Sequence, residues 1–153
     1  MKILVFGLPG SGKTYLSKRL QPLLKCAWFN ADEIRNMTND WDFSVSGRKR
    51  QSLRMKTFAN FEKSNGRCVI CDFVCPTEST RKIFDPDYTI WMNTISEGRF
   101  LDTNKIFEKP KNVNYEVKTW NRENQNIIAK EILKNVQLEK TYGSNVRKMA
   151  ALA

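Results

Sequence analysis

Short apolar runs alternate with amphipathic segments along this chain. Several of the runs are continuous and only four or five residues long, which is typical of fully buried strands. The last run alternates apolar and polar positions, as a half-buried strand does. The runs occupy residues 2–6, 26–29, 68–71, 88–92 and 113–119. Because helical patterns separate them, the chain is predicted to fold as an α/β protein with a mostly parallel five-stranded sheet and helices on both faces.

The helices are predicted from apolar residues at helical spacing and from residues that stop a helix. They are expected at about 13–20, 46–63, 77–84 and 121–140. Residues 36–44 are interpreted as a loop with one helical turn. Residues 93–112 show no regular period and are predicted to form a lid loop. We expect a single domain over residues 1–153, with a frayed or loosely docked tail over the last ten residues.

Residues 7–14 fit the pattern of a phosphate-binding loop, with Gly at the first and sixth places followed by Lys and Thr. The glycines let the backbone approach a ligand, and the loop N–H groups form an anion-binding nest at a helix N-terminus. Lys13 is expected to reach the β and γ phosphates of ATP, and the Thr14 hydroxyl is expected to ligate Mg²⁺. The predicted nucleotide-binding residues are Gly7, Pro9, Gly10, Ser11, Gly12, Lys13 and Thr14.

Polar residues follow the second and third predicted strands, at the sheet edge where ligands bind in parallel sheets. Asp32 follows the second strand, where a carboxylate can accept the proton of an attacking hydroxyl; the alternative is that it caps a helix. Arg35 falls on the same helical face and can hold an acceptor anion. Asp72 ends the third strand and is predicted to hold Mg²⁺ through water, with a turn aspartate as the alternative.

Composition narrows the chemistry further. The 153 residues carry 26 Lys and Arg against 16 Asp and Glu, a formal net charge of +10 that favours anionic partners. His is absent, which excludes catalysis by imidazole. No apolar stretch suggests a secretory signal or a membrane span, so no membrane partner is expected. Cys26, Cys68, Cys71 and Cys75 are interpreted as buried free thiols, typical of a cytoplasmic enzyme, with a zinc site as the alternative.

These residues together resemble the adenylylsulfate kinases, which use MgATP to phosphorylate the 3′-hydroxyl of adenosine 5′-phosphosulfate. Residues 7–14 look like the family's phosphate-binding loop, and residues 30–35 are similar to its Asp-Gly-Asp-Asn-hydrophobic-Arg segment. The resemblance covers most of residues 1–120. It implies a three-layer P-loop kinase fold, ATP and Mg²⁺ as cofactors, a small anionic nucleotide as acceptor, and Lys13, Asp32 and Arg35 as catalytic residues.

The resemblance also implies how the acceptor is bound. Residues 42–48 are similar to a Gly-Phe-Ser…Asp-Arg stretch in which the phenylalanine stacks on the acceptor's adenine and the arginine contacts its anionic part. Residues 73–76 look like a Phe-Ile-Ser-Pro segment that lines the acceptor pocket. The implied acceptor-binding residues are Arg35, Phe43, Arg48, Arg54, Phe73 and Lys105, and the lid residues are Arg99, Asp102 and Lys105.

The chain departs from the family pattern at several positions. Asn30 stands at the first aspartate of the second motif, Gln51 at the asparagine of Asn-Ile-Arg-Arg, and Leu53 at its first arginine. The lid is short, and residues 97–105 resemble the lid of compact bacteriophage members of the family. These departures affect the predicted identity of the acceptor more than that of the nucleotide donor.

Two alternatives stay open. Residues 30–35 also resemble the Asn-Arg-Asp-Asp-Tyr-Arg segment of polynucleotide 5′-kinases, and Asp72 with Arg81 is similar to a second segment of that family. That resemblance implies a nucleic-acid or nucleoside 5′-hydroxyl as the acceptor. The other alternative is a non-catalytic nucleotide-binding protein. The sequence gives no indication of an oligomeric state.

Overall fold

A five-stranded parallel sheet forms the centre of the molecule. The computed structural model describes the backbone of residues 1–152, and the side chains of these residues except 144, 146 and 147. The strands are β1 (Lys2–Phe6), β2 (Ala27–Asn30), β3 (Val69–Phe73), β4 (Tyr88–Met92) and β5 (Tyr115–Val117). They lie in the order β2-β3-β1-β4-β5, and every neighbouring pair is parallel. The predicted α/β fold and its five-stranded sheet are therefore confirmed.

Helices connect the strands, as parallel pairing requires. They are α1 (Lys13–Leu24), α2 (Ala31–Thr38), α3 (Val45–Ser64), α4 (Glu78–Phe84), α5 (Leu101–Ile106) and α6 (Gln125–Leu152). Three of them begin at a residue whose side chain accepts a hydrogen bond from the first turn: Asn30 for α2, Ser44 for α3 and Thr77 for α4. Within residues 1–152, no helix combines the length and the apolarity that crossing a membrane would take.

The sheet separates two apolar cores because successive residues of a strand point to opposite faces. On one face, Ile3 and Val5 of β1 pack in a buried cluster with residues of α1 and α6. On the other face, Leu4 and Phe6 pack with residues of α2, α3 and α4. Each face of the central strand is thus covered by helices, and the carboxyl ends of the strands stay accessible between the two layers.

Three segments differ from the sequence prediction. Helix α2, over Ala31–Thr38, was not among the predicted helices, and its end accounts for the one helical turn expected within residues 36–44. The lid segment 93–112 contains α5, whose Asn104 side chain bonds both backbone groups of Gly98, a contact that no local period reveals. Helix α6 begins later than residue 121 and continues to Leu152, so the tail is not frayed but helical up to that residue, consistent with its many strong helix formers. Loose docking, the other expectation for this tail, stays a prediction. Residue 153 lies outside the described residues.

Two isoleucines of α6 give a matched test of its docking. Ile132 is fully buried against the sheet, whereas Ile127 is 59% exposed. We expect Ile132→Ala to lower the free energy of unfolding by about 2–5 kcal/mol, because it leaves a cavity in the core. Ile127→Ala is expected to change it by less than about 0.5 kcal/mol. Urea unfolding followed by circular dichroism measures both; equal effects would contradict the described packing.

Candidate active site

The loop between β1 and α1 has the geometry of a phosphate-binding loop. Gly12 has a φ of 103°, and a Cβ there would lie 2.9 Å from the Cδ1 atom of Trp120. A Cβ on Gly7 would lie 2.7 Å from the carbonyl oxygen of Met92. Only glycine fits without displacing these neighbours. The tight loop therefore brings its backbone N–H groups to the start of α1, where an anion is favoured.

Lys13 lies over this loop. Its Nζ donates to the carbonyl oxygens of Gly7 and Leu8, both at 3.0 Å. Burial lowers the pKa of Lys13 to about 8, while the carboxylates of Asp72 and Asp32 act in the opposite direction. The ammonium is thus near the loop and near both predicted functional carboxylates.

The ends of β2 and β3 bring polar side chains together. Asn30 and Asp72 are direct partners in the parallel register, and the Asn30 Nδ2 atom donates to Asp72 Oδ1 at 2.7 Å. The same amide donates to Thr14 Oγ1 at 3.3 Å. Trp28 Nε1 donates to the other Asp72 oxygen at 3.0 Å. Burial raises the pKa of Asp72, and these hydrogen bonds favour its charged form.

Asp32 and Arg35 lie on α2 beside this cluster. The helix cap is Asn30, whose side chain accepts from the Glu33 N–H at 3.0 Å, so the interpretation of Asp32 as the cap is wrong. Asp32 is exposed in the first turn and lines the central cavity. Arg35 is buried, and its guanidinium donates to the Asp40 carbonyl at 2.9 Å. The carboxylate is therefore free to meet a ligand, while the arginine is held in place.

Aromatic and basic side chains form the far side of the cavity. The guanidinium of Arg35 lies 4.4 Å from the ring centroid of Phe43, and that of Arg48 lies 5.4 Å from it. Phe43 remains 48% exposed. Arg48 also donates to Thr103 at 3.3 Å and lies 4.0 Å from Asp102, both on the lid helix α5. The surface around Phe43 thus combines a flat apolar ring with positive charge and touches the lid.

Two residues predicted to bind the acceptor do not line the cavity. Arg54 donates to the Asp40 carboxylate at 2.8 Å and to Gln51 at 2.6 Å. Arg50 makes a bidentate contact with the same carboxylate, at 2.8 and 3.0 Å. Asp40 therefore holds Arg54 within the protein, away from a ligand. Lys105 is exposed on α5 and also lies outside the cavity lining.

One cavity of about 1510 Å³ joins the phosphate-binding loop to the aromatic surface. Its volume exceeds the 300–1,000 Å³ or so that a single small ligand usually occupies, so it has room for two. The predicted residues that line it are Pro9, Gly10, Ser11, Gly12, Lys13, Thr14, Asp32, Arg35, Phe43, Arg48, Asp72, Phe73, Arg99 and Asp102. Most of the site residues that were predicted from the sequence thus line a single cavity.

Sequence reasoning missed one wall of this cavity. Lys118, Trp120 and Arg122 line it beyond the end of β5, and the Arg19 guanidinium lies 5.9 Å from the Trp120 ring centroid. The sequence could have revealed them, because basic and aromatic residues that directly follow a parallel strand lie at the ligand-binding edge of the sheet. The missed wall adds a stacking surface beside the phosphate-binding loop.

Comparison with known proteins gives a family and a fold. The model of a family described as adenylylsulphate kinase matches residues 1–92. No curated protein matches the sequence. The APS kinase of Mycobacterium tuberculosis in complex with AMPPNP and APS is 17% identical with a TM-score of 0.73, covering 89% of this chain and 96% of that chain. The shikimate kinase of Aquifex aeolicus is 18% identical with a TM-score of 0.64, covering 92% and 99%. At these identities the structural matches establish the fold.

The Asp40 cluster predicts how stability depends on pH. Hydrogen bonds from Arg50 and Arg54 hold the pKa of Asp40 well below its ordinary value. A lowered pKa in the folded state stabilises the protein above the unfolded pKa of about 4, and this contribution is lost as the pH falls through the folded value. We expect Asp40→Asn to have a lower free energy of unfolding than wild type at neutral pH. This gap between the two free energies should become smaller at acidic pH.

Urea unfolding at several pH values measures this gap. Asp85→Asn is the control, since that carboxylate is exposed and lies 3.9 Å from its nearest cationic partner, Lys2. A gap for Asp40→Asn that stays constant from neutral pH to about pH 3 would contradict the assigned role.

Proposed function

The chain belongs to the adenylylsulphate kinase family, and on this basis we propose that it is a MgATP-dependent kinase whose acceptor is the 3′-hydroxyl of adenosine 5′-phosphosulfate. The observation that carries the proposal is the continuous cavity, which joins a phosphate-binding loop to a carboxylate and then to an aromatic, positively charged surface. A kinase needs these three parts in this order, since it holds a donor, activates a hydroxyl and holds the acceptor. The four cysteines are free thiols, which suits the reducing cytoplasm.

The donor side is proposed to hold ATP with Mg²⁺. Lys13 and the loop N–H groups bind the phosphates, and Trp120 offers a face to the donor base. These residues fit Mg²⁺, because Thr14 and Asp72 supply the oxygen ligands that the ion prefers. The two side chains lie close together, since the Asn30 amide is within hydrogen-bonding distance of both. When bound, the ion neutralises charge on the transferring phosphoryl group.

The acceptor side is proposed to present a hydroxyl to the γ phosphate. Asp32 takes the hydroxyl proton as the acceptor oxygen bonds to the γ phosphorus, and the bond to the β,γ-bridging oxygen breaks with its electron pair leaving on ADP. Phe43 stacks on the acceptor base, while Arg35 and Arg48 offset its negative charge. Arg99 approaches from the lid, which excludes water from the reacting groups.

A polynucleotide 5′-kinase is the second candidate, favoured by the net charge of +10. The surroundings of Arg81 do not favour it. Arg81 matches the arginine of the second segment of that family, but it is buried and donates to the carbonyl oxygens of Cys75, Pro76 and Glu108. Its guanidinium lies 4.6 Å from the Phe6 ring centroid and 5.4 Å from that of Phe107. Arg81 therefore joins the segment after β3 to residues 107 and 108 and is not accessible to an acceptor.

The acceptor is tested by offering γ-labelled ATP with adenosine 5′-phosphosulfate or with a 5′-hydroxyl oligonucleotide, side by side. We expect label on the adenylylsulfate. Label on the oligonucleotide, with binding that weakens steeply with salt, would replace the proposal by the 5′-kinase. ATP binding without any labelled product would indicate the non-catalytic alternative.

Two variants test the assigned machinery. Lys13→Ala is expected to lower kcat by at least about 10²-fold, because the charge on the β and γ phosphates loses its partner. Asp32→Asn is expected to lower kcat by roughly 10²- to 10⁴-fold with little change in ATP binding, since it removes the proton acceptor. Lys18→Ala, an exposed lysine on the same helix, is the control. Turnover that survives Lys13→Ala would show that this loop was wrongly assigned.

A further inference from the structure

Asn30 joins parts of the active site that belong to different elements. It is the last residue of β2 and the cap of α2, and it lines the central cavity. On one side are Thr14 and Asp72, which are proposed to hold the metal. On the other side is α2, which carries Asp32 and Arg35. Asn30 is therefore a direct link between the two sides.

Both ends of the Asn30 amide are engaged. Its oxygen accepts from the Glu33 N–H at 3.0 Å, which fixes the first turn of α2. Its nitrogen donates to Asp72 Oδ1 at 2.7 Å and lies 3.3 Å from Thr14 Oγ1. The amide therefore forms a bridge of hydrogen bonds from the metal side of the cavity to the helix of the proton acceptor.

The surroundings of Asp72 restrict which side chain can form this bridge. Asp72 is 1% exposed, and its second oxygen is bound by Trp28. A group at position 30 must donate to the first oxygen and also accept from the helix N–H. Asparagine has both a donor and an acceptor at this reach, whereas an ionised aspartate has acceptors alone. An aspartate, the residue of the family motif at this position, retains the acceptor and places a second negative charge beside Asp72.

We propose that Asn30 is a positioning residue for phosphoryl transfer, whose amide fixes the distance between Asp32 on α2 and the Thr14–Asp72 pair. The proposal rests on the proposed kinase function. Transfer depends steeply on the alignment of acceptor oxygen, phosphorus and leaving oxygen, and a displacement of about 1 Å can cost roughly 10²-fold in rate. The bridge acts through Asp32 and does not itself touch the reacting atoms.

Three substitutions separate the bridge from the helix cap. Asn30→Ser and Asn30→Asp each retain an oxygen that can cap α2, but neither can donate to Asp72 as the amide does. Asn30→Ala removes both functions. Thr77→Ala is the matched control, because Thr77 caps α4 through the same kind of bond and lies outside the cavity. It is expected to lower the denaturation midpoint while leaving turnover unchanged.

The readouts are turnover, nucleotide binding and one spectroscopic signal. For Asn30→Ser we expect kcat with adenosine 5′-phosphosulfate to fall by about 10²-fold. The Kd of MgAMPPNP, measured by calorimetry, should stay within about threefold of wild type because the phosphate-binding loop is intact. The ¹H–¹⁵N signal of the Trp28 indole should shift, since its partner Asp72 loses the Asn30 bond. Thr77→Ala should leave that signal in place.

The outcomes distinguish this proposal from the kinase function itself. If Asn30→Ser and Asn30→Asp keep wild-type kcat and an unshifted Trp28 signal while Asn30→Ala loses stability, Asn30 is only a cap and the proposal is overturned. If the wild-type protein phosphorylates neither acceptor, the kinase function fails, and the bridge is then judged by the Trp28 signal alone. A shifted signal together with the loss of kcat supports the bridge.

Discussion

The parallel register of β1, β2 and β3 is the constraint on which the active site depends. Phe6 pairs with Phe73 across β1 and β3, and Asn30 pairs with Asp72 across β2 and β3. The three strands therefore end at one edge, where the phosphate-binding loop, α2 and the segment after β3 all begin. Since β1 is buried on both faces, a shift of register would require the two apolar cores to repack.

Much of this arrangement was predictable because it follows from local patterns. Short apolar runs identify the strands, and the loop motif identifies the phosphate site, since both depend on neighbouring residues alone. The position of Asp32 follows from the rule that residues after parallel strands meet at one edge. The segments that were not predicted depend on specific side-chain contacts. Within the lid, Asn104 bonds both backbone groups of Gly98, and the wall at Trp120 is formed by packing against the distant Gly12.

The departures from the family pattern become understandable in the structure. Gln51 donates to the Ala31 carbonyl at 3.1 Å and accepts from Arg54, so it links α3 to the start of α2. Leu53 is 54% exposed and does not line the cavity. Arg54 matches the family motif, but a neighbouring carboxylate already binds it. A motif match alone did not reveal that partner, because Asp40 lies fourteen positions away.

The buried guanidinium of Arg81 has a consequence for motion. It fastens the carboxyl-terminal root of the lid, at Phe107 and Glu108, to the loop after β3. At the other root, Thr94 donates to the Ser11 carbonyl at 2.7 Å. Asn93, at the same root, also donates to the Val117 carbonyl and to the Glu116 carboxylate of β5, both at 2.9 Å. Motion of the lid is thus limited at both roots, and at Thr94 it is coupled to the phosphate-binding loop by a direct hydrogen bond.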